Sequence, residues 1–139
     1  MSIEPGVLLL YSDPEPFLSL EKLLENQSVP TVRVSSCQQA RTLLAQSGTP
    51  RIVLTDTTLD DGTWRGALRL AGEAPLPRAV IVVNRWYDIR LYLAALDQEA
   101  FDFIAPPFRA SDVGWVLRRA QLYLAQKDQS GSKAAAAAD

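Results

Sequence analysis

Residues 7–11, 51–56 and 79–84 contain runs of Val, Ile and Leu with almost no polar interruption. Runs this short and this continuous have no wet face to offer, so they suit strands covered on both sides. Two further short runs, 31–34 and 101–104, have the same length. The segments between them have helical spacing. Phe17, Leu20 and Leu24 form one stripe, and Ala40, Leu43 and Leu44 form another. Val113, Val116, Leu117, Ala120 and Leu124 form a third, at steps of three and four. Strands that alternate with helices imply right-handed crossovers, and so an α/β fold with a doubly wound parallel sheet.

Such sheets carry their ligand sites outside the carboxyl ends of the strands. Two acids fall there. Asp56 ends the third run, and Asp13 follows the first. Asp13 also precedes Pro14, which suits an N-cap with proline in the first helical turn, so Asp13 serves as cap, ligand or both. Ser36 followed by Gln39 has the spacing of a capping box for the second helix. A carboxylate at the end of a buried strand would be desolvated for nothing unless it had work to do, which favours a functional Asp56. Asp60 and Asp61 are expected to be solvated loop acids.

At 139 residues the chain is long enough for one domain with a real core. A net charge of −2 without a dense basic block gives no footprint for nucleic acid. Histidine is absent, which removes His-based acid/base chemistry, His metal ligands and catalytic triads. The single cysteine, Cys37, excludes a disulfide framework and is expected to be a small buried side chain near a helix start. There is neither a basic leader before an apolar stretch nor a run near ~20 apolar residues, so a cytoplasmic protein with no membrane role is expected. From Lys127 the composition shifts to polar and alanine residues without an apolar stripe. The expected division is a domain over 1–126 and a flexible tail or linker over 127–139.

The order and spacing of these features resemble the receiver domain of two-component response regulators, over residues 7–126. The resemblance implies a (βα)5 flavodoxin-like three-layer sandwich around a five-stranded parallel sheet. It places Asp56 at the phospho-acceptor position and Asp13 at the second position of an acidic pair. Asn84 falls where a Thr or Ser hydroxyl is usual, and Phe103 at the switch-aromatic position. Pro107-Phe108 matches the end of the usual Lys-Pro-Phe. The departures are Ser12 for the first acid, Asn84 for the hydroxyl and Pro106 for the lysine. The loop after Asp56 also lacks its usual proline. With these substitutions, the resemblance is to an atypical or degenerate receiver.

The implied function is a phosphorelay signalling domain that accepts a phosphoryl group on Asp56 from a histidine kinase or phosphotransfer protein. It would be no enzyme beyond self-phosphorylation from a phosphodonor. The alternative is a phosphorylation-independent pseudo-receiver that acts as a docking or dimerisation module. Magnesium would be held weakly by Asp13, Asp56 and the backbone of Thr58, with a minor share from Ser12. Asn84 can donate to a phosphoryl oxygen or satisfy backbone groups in a turn. Pro106 offers neither charge nor donor, and its bond to Pro107 is open to a cis form. Arg85, beside Asn84, is expected to face solvent, with a substitute-cation role as the lesser reading. A downstream protein or a second copy would dock through Trp86, Tyr92 and Trp115, with Trp115 the best candidate for exposure. Phe108 is expected mainly to pack. Trp86 and Trp64 should lie near the pocket.

Two other classes fail on local grounds. A flavin or nucleotide binder needs glycine after the first strand, and residues 11–16 contain none. A phosphatase of the haloacid dehalogenase type needs Asp-x-Asp, but Leu59 stands in the first acid's place.

Overall fold

The computed structural model describes residues 6–46 and 48–138, the last eight of them as backbone only. In chain order the elements are β1 (Val7–Leu10), α1 (Phe17–Asn26), β2 (Thr31–Val34), α2 (Cys37–Leu44) and β3 (Ile52–Asp56). A hairpin of β4 (Thr58–Leu59) and β5 (Gly62–Thr63) follows. Then come α3 (Trp64–Glu73), β6 (Ala79–Val83), α4 (Ile89–Asp97), β7 (Asp102–Ile104) and α5 (Ala110–Ala138).

The main sheet is parallel throughout, in the order β2-β1-β3-β6-β7. This is the expected flavodoxin-like arrangement, whose order reverses between β1 and β3. Alternate strand residues face opposite layers. Val7, Leu9, Ile52, Leu54, Ile81 and Val83 pack with α1 and α5 through Phe17, Leu20, Val116 and Leu117. Leu8, Val53 and Val80 meet Leu44 and Ala71, while Leu10 meets Ala40, Ala67 and Leu70. Val82 and Phe103 pack with Trp64 and Ala95. Burying one such aliphatic side chain contributes about 1.5–3 kcal/mol, so the unbroken apolar strands are the main source of the fold's stability.

The sheet is entered through Gly6, at φ 114°, where an added Cβ would lie 2.3 Å from the Pro30 carbonyl oxygen. That carbonyl accepts from Val7 N at 2.9 Å, so the close approach starts the β1–β2 ladder.

Two boundaries differ from the sequence reading. Asp13 does not cap α1, whose N-cap is Pro16 without a side-chain bond. A residue before proline is pushed out of the helical region, so Glu15 cannot join the helix and α1 starts after the second proline. Asp13 instead closes a local turn, accepting from Glu15 N at 3.1 Å. The helix expected to end near Gln126 runs on to Ala138 as a continuous α5. Arg51, at the foot of β3, makes paired bonds of 2.8 and 2.9 Å to Asp128 on this extension. Asp61 is exposed in the hairpin loop, as expected, but it also has partners. The hairpin holds it against the start of α2, where it accepts from Cys37 N at 2.8 Å and Gln38 N at 3.0 Å.

The capping box at α2 appears in a modified form. Ser36 Oγ accepts from Gln39 N, but Gln39 Oε1 accepts from Ser35 N at 2.8 Å rather than from Ser36 N. Cys37, half-buried at the first turn, has a thiol pushed up by burial and by the neighbouring Asp61. Among the described residues no helix is long and apolar enough to cross a membrane.

Candidate functional site

The register of β1 on β3 pairs Leu10 with Thr55, so the chain leaves both strands at the same level. Asp56 is the last residue of β3 and is 1% exposed. Its main-chain neighbour Thr57 donates its N–H to Oδ1 at 2.7 Å. The loop after β1 brings Asp13 to the same cleft, with 61% of its side chain exposed. The two acids therefore face one another across the β1/β3 switch point.

A cation from the chain itself lies between them. Arg85, two residues past β6, donates from Nη1 to Asp56 Oδ1 at 2.8 Å and from Nη2 to Asp56 Oδ2 at 3.1 Å. The same Nη2 lies 3.3 Å from Asp13 Oδ2 and donates to the Glu15 carbonyl at 2.6 Å. This two-pronged guanidinium–carboxylate contact is among the stronger polar pairings available to a protein. Hydrogen bonding to Asp56 holds the guanidinium above its ordinary pKa against the opposing effect of burial, and the charges of Asp56 and Asp13 add to it. The expected solvent-facing Arg85 is thus overturned. Two acids at strand ends without a lysine leave a charge that the nearest basic side chain neutralises. That imbalance was the signal present in the sequence.

The other positions take up structural tasks. Ser12 Oγ donates to the Ser35 carbonyl at 2.7 Å and accepts from Asp60 N at 3.1 Å, lacing together the β1–α1 loop, the β2–α2 loop and the hairpin. Asn84 is buried, and its Nδ2 donates to the Trp86 carbonyl at 3.0 Å, closing a turn. Thr58 lies in β4 opposite Thr63. Pro106 is half-buried in the loop after β7, and its bond to Pro107 is cis. Phe103 is buried, with Tyr87 and Tyr92 packed edge-on against its ring at 5.9 and 5.8 Å.

Magnesium demands near-octahedral oxygen ligation. Here the facing oxygens of Asp13 and Asp56 are engaged by Arg85, and the Ser12 hydroxyl is already bonded twice. With Arg85 in this position the residues present do not fit a divalent ion. Among the described residues no group of three or more His, Cys, Asp or Glu side chains is placed to hold one.

Trp86, which follows Arg85 in the chain, and Trp115 are 62% and 61% exposed, with Tyr87, Ile89 and Leu93 also open to solvent. Trp115 matches its expected exposure. Phe108 is half-buried against the α1/α5 core, also as expected, and Tyr92 is only partly exposed. Trp64 is buried beneath α4.

No family model matches the chain, and no curated protein matches it. Solved structures do. The receiver domain of an HD domain-containing protein from Pseudomonas fluorescens aligns over 88% of this chain and 98% of its own, with TM-score 0.72 and 22% identity. A response regulator receiver domain protein from Clostridium thermocellum aligns over 82% and 91%, with TM-score 0.68 and 21% identity. NtrX from Brucella abortus aligns over 96% of this chain but 30% of its own, with TM-score 0.78 and 20% identity. At these identities the likeness is one of fold, and the chain has the receiver fold.

Proposed function

We propose that this chain is a receiver-type signalling module that works by phosphorylation-independent docking, in the cytoplasm. One observation carries the reading. The carboxylate at the phospho-acceptor position is buried and bonded on both oxygens, by Arg85 and by Thr57 N. Phosphoryl transfer needs a free in-line nucleophile and positive charge on the transferring oxygens. Asp56 is engaged, and Pro106 supplies no charge where a lysine would. The exposed aromatic side chains Trp86, Tyr87 and Trp115 support contact with a downstream protein or a second copy, because large aromatic side chains make effective anchors.

The second reading is phosphoryl acceptance on Asp56 from a histidine kinase or phosphotransfer protein. It is favoured by the placement of Asp56 at the end of β3 beside Asp13, with Arg85 able to turn its charge toward a bound phosphoryl group. Intact-mass measurement after incubation with acetyl phosphate and magnesium separates the two. The docking reading expects no adduct, and tryptophan emission unchanged by magnesium with beryllofluoride. A phosphoryl adduct that Asp56→Asn abolishes, with an accompanying emission change, would transfer the conclusion to the second reading.

A further inference from the structure

We infer that Arg85 is the resident cation of this cleft: its guanidinium holds the place between Asp13 and Asp56 that a divalent ion would need, so the wild-type protein excludes the ion and its removal uncovers a latent cation site. The inference deepens the docking reading and rests on it, since both concern the same pocket.

The geometry shows why exclusion follows. An ion bridging the two acids must take an oxygen from each, and the facing oxygens, Asp13 Oδ2 and both of Asp56, lie 2.8–3.3 Å from Arg85 nitrogens. Ion and guanidinium are like charges competing for the same lone pairs at contact distance. Arg85 is also anchored at a third point, the Glu15 carbonyl, so leaving the cleft costs it more than one ion pair. Without Arg85 the cleft has two facing carboxylates, one of them well exposed, and neither has another basic ion-pair partner among the described residues. Hard divalent cations favour such oxygen-rich, negatively charged sites. The backbone holds Arg85 in place as well: Asn84 N donates to the Ile104 carbonyl at 3.0 Å, and its side chain closes the turn onto Trp86.

Manganese, a paramagnetic stand-in for magnesium, tests this directly through loss of its free-ion electron paramagnetic resonance signal. The wild type is expected to leave the signal intact. Arg85→Ala is expected to take up one equivalent with affinity about tenfold or more above the wild type, since a like charge has left contact distance. Adding Asp56→Asn to Arg85→Ala should remove that uptake. Arg85→Gln keeps a donor for Asp56 without the charge, and provides the same comparison if the alanine variant does not fold. Wild-type uptake equal to that of the arginine variants, or uptake indifferent to Asp56→Asn, overturns the inference. That outcome leaves the docking reading standing if acetyl phosphate still gives no adduct. A phosphoryl adduct on a wild type that excludes manganese sinks the docking reading alone.

Discussion

Removing one member of a buried charge pair leaves the other uncompensated, at a cost near 3 kcal/mol, whereas replacing both by neutral groups is far milder. Arg85→Ala is therefore expected to lower stability by about 2–3 kcal/mol in urea unfolding, and Asp56→Asn with Arg85→Gln by about 1 kcal/mol. The acid on the hairpin makes a separate, pH-dependent contribution. Asp61 is held below its ordinary value of 3.8, chiefly by the Cys37 and Gln38 amides. A depressed carboxylate stabilises the fold above its unfolded pKa and loses that effect as pH falls through the folded one. Melting temperatures of the wild type should fall as pH drops below 3.8. Asp61→Asn should show a shallower fall over the same window, together with a lower melting temperature at neutral pH.

At the scale of elements, the ends of helices show how neighbours override local preference. The second proline of the Pro14/Pro16 pair delays α1, which converts Asp13 from a cap into a cleft residue. The start of α2 draws one cap from its own sequence, Ser36, and a second from Asp61, 24 residues away from Cys37. The end of α5 depends on a partner as well. A polar stretch with poly-alanine is too short to persist as an isolated helix. Here it continues an anchored one and is fastened at Asp128 to Arg51. Because that pair is partly exposed, Asp128→Ala is expected to cost only about 0.5 kcal/mol globally. Backbone amides after Gln126 should nevertheless exchange distinctly faster with deuterium, and unchanged exchange there would show that the pair does not hold the helix.

Across the whole molecule, burial and exposure divide the three tryptophans. Trp64 is enclosed by Val82, Ala95 and Phe103, whereas Trp86 and Trp115 project from the β6–α4 loop and α5. Acrylamide quenching should therefore be biphasic, with one protected fraction that Trp64→Phe removes. Trp86→Ala and Trp115→Ala should leave stability within about 0.5 kcal/mol of the wild type, since little packing is lost. If those same variants also weaken association measured by sedimentation or partner capture, the exposed face is a working surface. Tyr87 and Tyr92 pack edge-on against Phe103 of β7, so the loop that carries Trp86 and Arg85 is tied to the edge of the sheet.

The amino-acid order alone determined the layered α/β fold and the position of Asp56 at a strand end. Unbroken apolar runs permit only a doubly covered sheet, and strand–helix alternation then orders it. Set beside the receiver resemblance, it also showed Pro106 in place of the lysine and Ser12 in place of the first acid. Tertiary structure alone decided where the long polar side chains went. Arg85 has rotamers that reach either water or the cleft, and the choice depends on charges brought together from residues 13 and 56. The same holds for Asp61 and Asp128, whose partners lie far away in the chain. Periodicity reports which face of an element is dry, whereas ion pairing depends on distances that arise only when separate segments have packed.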